Sequence, residues 1–162
     1  MEFMTINKKT LGLYAGSFAP FHVGHLDIVK QALQVFNEVW VARGVNPEKV
    51  AMPDSYPLPT QHIYSIGADV SYYDTLLSDY VKLLEVTYNV TLVRGLRNGA
   101  DLEYEQNMIG FLKGMYPEIK VVAFYYDPQY RHISSSALRG IEKFSKEEYN
   151  KYIVSDKNYE KV

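Results

Sequence analysis

Cysteine is absent from the 162-residue chain. That excludes a disulfide scaffold, a thiol nucleophile and any thiolate metal site. A basic excess is missing too: Lys plus Arg number 17 against 19 for Asp plus Glu, a formal net charge of −2. Surfaces that coat nucleic acid or an anionic membrane usually carry such an excess, so neither is an expected partner. No run reaches the roughly 18 apolar residues of a membrane span. The first ten residues hold two lysines and no apolar stretch, which is not the pattern of a secretory signal. The cytoplasm is therefore the expected location. No repeat or low-complexity tract is visible. Tryptophan occurs once, whereas tyrosine occurs 15 times.

What remains is the composition of a globular chain, with 47% hydrophobic residues. Its length suits one domain spanning residues 1–162. Apolar runs predict strands at 11–15, 38–42, 70–73, 90–93 and 119–125. Helical spacing predicts helices over 26–36, over 101–115 with Leu102, Met108, Ile109 and Leu112 inward, and from Leu76 to Leu84. A short helix at 134–144 and another at 146–153 complete a C-terminal helical segment over 141–162. This alternation predicts an α/β fold of Rossmann-like type, with a five-stranded parallel sheet flanked by helices. Ligands in such folds bind beyond the carboxyl ends of the strands. Residues 50–66 break the alternation. They carry Pro53, Pro57 and Pro59 without helical period, and read as an irregular loop of the length often found in lids. Residues 50–85 hold five acids and one base, a net −4, which leaves +2 for the rest.

Four stretches carry chemistry. Gly16-Ser17-Phe18-Ala19-Pro20-Phe21-His22-Val23-Gly24-His25 follows the first strand and precedes a helix. A glycine turn lets backbone approach a phosphate, and a helix N-terminus offers free amides and partial positive charge. Two imidazoles there could donate to phosphate oxygens; a lone histidine would more often just decorate the turn. A zinc site lacks evident further ligands. Ile133-Ser134-Ser135-Ser136 opens a late helix. One serine suffices for a cap, so three suggest an anion cradle. Arg94-Gly95-Leu96-Arg97, followed by Asp101 to Glu105, places two guanidinium forks at a strand end, a geometry suited to phosphate oxygens. Asn46-Pro47-Glu48-Lys49 follows the second strand.

The first stretch resembles the HxGH motif of the nucleotidylyltransferase superfamily, and Ile133 to Ser136 resembles its serine-rich motif. The Arg94 to Glu105 stretch closely resembles the central motif of the bacterial phosphopantetheine adenylyltransferase family. Members of that family convert 4′-phosphopantetheine and ATP into dephospho-coenzyme A and pyrophosphate. The resemblance implies an in-line displacement at the α-phosphate, without a covalent intermediate. It implies that His25 donates to the α-phosphate, that Ser17 binds a phosphate oxygen, and that Lys49 bridges the two substrates. It implies that Arg97, Ser135 and Ser136 hold the β- and γ-phosphates, and that Arg94 faces the acceptor phosphate. Gly16, Phe18, His22, Gly95, Glu105, Tyr130, Ile133 and Ser134 are implied in the ATP site. Leu76, Leu77 and Met108 are implied on the acceptor side. Magnesium is implied on the ATP phosphates, with no protein-built metal site, and a homo-oligomer, a hexamer in relatives, is implied for the assembly.

The chain departs from that family at four places. Ala19 stands where aspartate is usual, and His22 stands where threonine is usual. The proline-containing 50–66 segment replaces a helix, and Leu112 stands where asparagine is expected near the acceptor. Two alternatives stay open: a related nucleotidylyltransferase with another phosphate-monoester acceptor, such as nicotinamide mononucleotide, and a non-catalytic nucleotide-binding module.

Overall fold

A computed structural model describes residues 7–45 and 55–159 of the chain. Lys49, with its Asn-Pro-Glu neighbours, lies outside the described residues, as does the first part of the 50–66 segment. The strands are β1 (Thr10–Gly16), β2 (Glu38–Gly44), β3 (Asp69–Tyr73), β4 (Asn89–Leu96) and β5 (Val121–Tyr125). All pair in parallel, in the order β3-β2-β1-β4-β5. The chain winds one way from β1 to β3 and then restarts on the other side of β1. Strand order therefore reverses between β1 and β4, and such a switch point opens a crevice at the strands' carboxyl ends.

The helices follow from their caps and apolar faces. α1 (Val23–Leu33) begins three residues earlier than its apolar spacing predicts, because the His22 imidazole caps it by accepting from the Gly24 and His25 amides. It buries Ile28, Val29 and Ala32 against β1 and β2. α2 (Thr60–Ser65) and α3 (Leu77–Leu84) flank β3 in sequence. α4 (Gly99–Met115) starts at Asn98, whose side chain accepts from the Asp101 amide. Along β1, Leu11, Leu13 and Ala15 enter one core with α3 and α4, while Tyr14 enters the other with α1, as the two-residue period of a strand requires.

α2 corrects the reading of 50–66 as irregular: residues 60–65 are helical. Its first turn is capped from far away, the Asp156 carboxylate accepting from the Gln61 and His62 amides at 3.3 and 3.0 Å. Ile63 and Leu58 anchor the segment in the core. The C-terminal part differs as well. α5 (Ser135–Glu142) and α6 (Lys146–Asn150) are followed by an extended stretch, in which Ile153 bridges His22 antiparallel, and by α7 (Asp156–Tyr159). Leu102, expected inward, is 46% exposed. Leu112 is core.

Candidate active site

A cleft of about 450 Å³ opens at the β1/β4 switch point. Its walls come from the end of β1 (Ala15, Gly16, Ser17, Phe18), the start of α1 (His22, His25), the end of β4 (Arg94, Gly95, Arg97) and the start of α5 (Ser134, Ser135, Ser136). Three motifs separated by up to about a hundred residues thus share one cavity. Tyr14, Asp101, Tyr104, Glu105, Tyr126 and Arg139 complete the lining.

The two histidines form one unit. The His22 amide donates to His25 Nδ1 at 3.2 Å, reciprocating the cap that His22 Nδ1 makes on the Gly24 and His25 amides. The rings stack with centroids 3.7 Å apart. A nitrogen that accepts carries no proton, so each neutral ring holds its proton on Nε2. Burial, with the Arg97 charge adding to it, pulls His22 down to about 3. Burial, then His22 and the two arginines, holds His25 well below the usual histidine range. Both imidazoles are therefore neutral at physiological pH. His25 keeps an Nε2–H donor on a ring that lines the cleft, whereas His22 is 1% exposed and serves as the cap.

The arginines are held rather than free. Arg94 donates to both Glu105 oxygens at 2.7 and 2.8 Å and to the Ala15 carbonyl at 2.6 Å. Arg97 donates to both Asp101 oxygens at 2.8 Å and to the Ile133 carbonyl at 3.2 Å. Burial alone would push the Asp101 carboxyl up, but the Arg97 bonds outweigh it and hold it low. A guanidinium has five N–H groups. Three are used in each case, which leaves one on each terminal nitrogen. The serines divide their work: Ser134 caps α5 by accepting from the Ala137 amide, Ser135 donates to the Pro20 carbonyl at 2.9 Å, and Ser136 pairs with Ser134.

Gly24 and Gly95 are not explained by a ligand's approach alone. A Cβ on either would sit 2.5 Å from the Tyr126 ring. The two motif glycines lie against opposite edges of that ring, whose hydroxyl meets that of Tyr14. Tyr126 and Arg139 are cleft residues that motif reading missed. Arg139 was legible as a cation one turn into the serine-capped helix; Tyr126 carries no signal, since its place follows from packing.

Several expected residues lie apart from the cleft. Leu76 is 57% exposed, and Leu77 and Met108 pack against the α3–α4 side of the core. Tyr130 packs against two hydrophobic clusters and is not among the residues that line the cleft. Ile133 is buried and reaches the site only through its carbonyl bond to Arg97. Among the described residues, no group of three or more His, Asp or Glu side chains could hold a metal ion. No described helix is long and apolar enough to cross a membrane.

Comparison with known proteins gives the family and the fold. The family described as cytidylyltransferase-like matches residues 13–141. A phosphopantetheine adenylyltransferase of Mycoplasma capricolum is 34% identical over 139 residues, covering 84% of this chain and 99% of the relative. One from Streptococcus pneumoniae is 33% identical, covering 85% and 86%, and one from Brucella ovis is 34% identical, covering 82% and 84%. Among solved structures, a Vibrio parahaemolyticus protein described as a nicotinate-nucleotide adenylyltransferase superposes with a TM-score of 0.61 at 17% identity, covering 90% of this chain and 87% of its own. A Plasmodium falciparum nicotinic acid mononucleotide adenylyltransferase gives 0.54 at 17%, covering 90% of each. At that identity the structural likeness speaks for the fold.

Proposed function

The chain belongs to the cytidylyltransferase-like family and, within it, to the phosphopantetheine adenylyltransferases, and on that premise we propose that it transfers AMP from ATP to 4′-phosphopantetheine. A phosphate oxygen of the acceptor attacks the α-phosphorus, the bond to the β-phosphate oxygen breaks, and pyrophosphate leaves with dephospho-coenzyme A as the other product. The observation that carries this reading is the meeting of three motif stretches around one cleft at the switch point. Such chemistry needs placement and charge stabilisation more than a nucleophilic side chain.

In this reading His25 offers Nε2–H to the α-phosphate as negative charge builds there. Its neutrality costs nothing, because the role requires a donor and not a cation. Arg97, with Ser135 and Ser136, takes the β- and γ-phosphates through its remaining N–H groups. Arg94 and Ser17 face the acceptor phosphate, with Lys49 reaching both substrates. Gly16, Phe18, Gly95 and Glu105 line the ATP side. The two cleft carboxylates are both committed to arginines. The donor set thus fits a magnesium ion carried by phosphates and water. Bound there, the ion would neutralise triphosphate charge.

Support for a homo-oligomer comes from exposed apolar side chains on and beside α3 and α4: Leu83, Val86, Phe111 and Met115. Burying them against a second copy would remove apolar surface from water. Its test is sedimentation equilibrium. A cytoplasmic location suits an ATP-consuming step and is tested by fractionation.

Pyrophosphate release measured with ATP and a panel of acceptors tests the function. Phosphopantetheine should turn over fastest. Faster turnover with nicotinamide mononucleotide, which His22 at the usual threonine position leaves open, would reassign the acceptor. No release with any acceptor, despite ATP binding, would leave a nucleotide-binding module.

A further inference from the structure

The loop between β1 and α1 is held by its carbonyl groups. Four consecutive ones, of residues 17 to 20, each accept from a side chain elsewhere in the fold. Arg139 takes Ala19 at 2.5 Å and Ser135 takes Pro20 at 2.9 Å. The other two belong to Arg43, whose Nε donates to the Ser17 carbonyl at 2.9 Å and whose Nη2 donates to the Phe18 carbonyl at 2.7 Å.

Arg43 is an unusual residue for its place. It stands near the end of β2, in register with Gly16, and is 2% exposed. Among the described residues it pairs with no carboxylate. A buried cation is expensive unless it is hydrogen-bonded, and here two backbone oxygens accept from it. One of these belongs to Phe18, whose φ of +49° lies in the left-handed region. That conformation is unfavourable for a bulky side chain and persists only where its surroundings fix it. The Phe18 ring in turn sets its neighbours. It lies edge-on to His25 and to Tyr14, both at 5.0 Å between centroids.

We propose that Arg43 is a positioning residue for adenylyl transfer. It engages the Ser17 and Phe18 carbonyls from outside the cleft, and so fixes the phosphate-facing loop and the Phe18 ring against which His25 rests. The inference rests on the adenylyltransferase reading and adds a residue that neither touches nor lines the cleft.

The test uses R43M, which keeps length but loses the donors, and R43K, which keeps a charged donor. Small displacements of reacting groups can cost up to about 100-fold in rate, so R43M should lose about 10- to 100-fold in kcat while the KM for ATP changes little. R43K should recover part of that loss. Amide hydrogen exchange at residues 17–19 should speed up in R43M while exchange in β1 and β4 stays protected. If R43M does not fold, R43K carries the test: slower turnover with a native melting temperature supports the proposal, and wild-type turnover overturns it. Folded R43M with unchanged kcat, or with unchanged exchange at 17–19, overturns it as well. If the wild-type protein releases no pyrophosphate with phosphopantetheine, it is the functional reading that fails. Exchange at residues 17–19 then still decides the role of Arg43.

Discussion

Acidification should destabilise this protein well above the range where carboxylates titrate, and His22 should be a main cause. Its imidazole stays neutral in the folded state down to about pH 3, against an ordinary histidine value of 6.5. Burial is the first reason and the Arg97 charge the second. A folded pKa lying below the unfolded one means that the unfolded chain takes up the proton first. The stability contributed by the neutral ring is therefore complete above about pH 6.5 and is lost as pH falls toward 3. One such proton costs about 1.4 kcal/mol per pH unit. Between pH 6.5 and 5, His22 alone should remove about 2 kcal/mol, a large part of an ordinary domain's stability. His25 contributes with the same sign, since burial holds it low too. The assay is urea denaturation at several pH values from 7.5 to 5, on the wild type and on His22→Asn. Asparagine can also cap a helix but does not titrate. The variant should lose about 2 kcal/mol less across the window. Parallel curves for the two proteins would refute the argument.

Three further outcomes follow from the same geometry. His25→Ala should lower kcat by about 100- to 1,000-fold with a smaller effect on ATP affinity; near-normal pyrophosphate release would end the role given to its Nε2–H. Arg97→Ala removes charge-assisted donors, and calorimetry should show ATP binding weakened by about 10- to 100-fold; unchanged affinity would count against Arg97 as a phosphate ligand. Gly95→Ala brings a Cβ to 2.5 Å from the Tyr126 ring. It should cost about 1–3 kcal/mol by thermal unfolding, and the cost should shrink when Tyr126→Ala is added. If the double variant is no better than Gly95→Ala alone, the packing reason for that glycine is wrong.

The tyrosine excess finds part of its reason in the fold. Tyr14 and Tyr126 bring their hydroxyls together in the cleft lining. Tyr56 donates to Glu142 at 2.8 Å, Tyr116 is bonded to Glu85, and Tyr73 stacks on Tyr80. Each uses an aromatic body with a polar tip, which an aliphatic residue could not supply.

The sequence by itself determined the alternation of strands and helices, because apolar period and turn residues are local signals. It also determined the motif stretches, because Gly16 to His25, Arg94 to Arg97 and Ile133 to Ser136 are contiguous and each sits at an element's end. Tertiary structure alone decided what these residues hold. That Gly24 and Gly95 flank Tyr126, that Arg43 grips residues 17 and 18, and that Asp156 caps α2 depend on partners about 25 to 100 positions away. Pattern reading sees only neighbours along the chain. The same limit explains why residues 60–65 read as irregular: their cap and their anchoring contacts come from elsewhere in the fold. Net charge is blind in a related way. A total of −2 says nothing of where charges sit, and the parallel sheet gathers three arginines and two neutral histidines at one end of its strands.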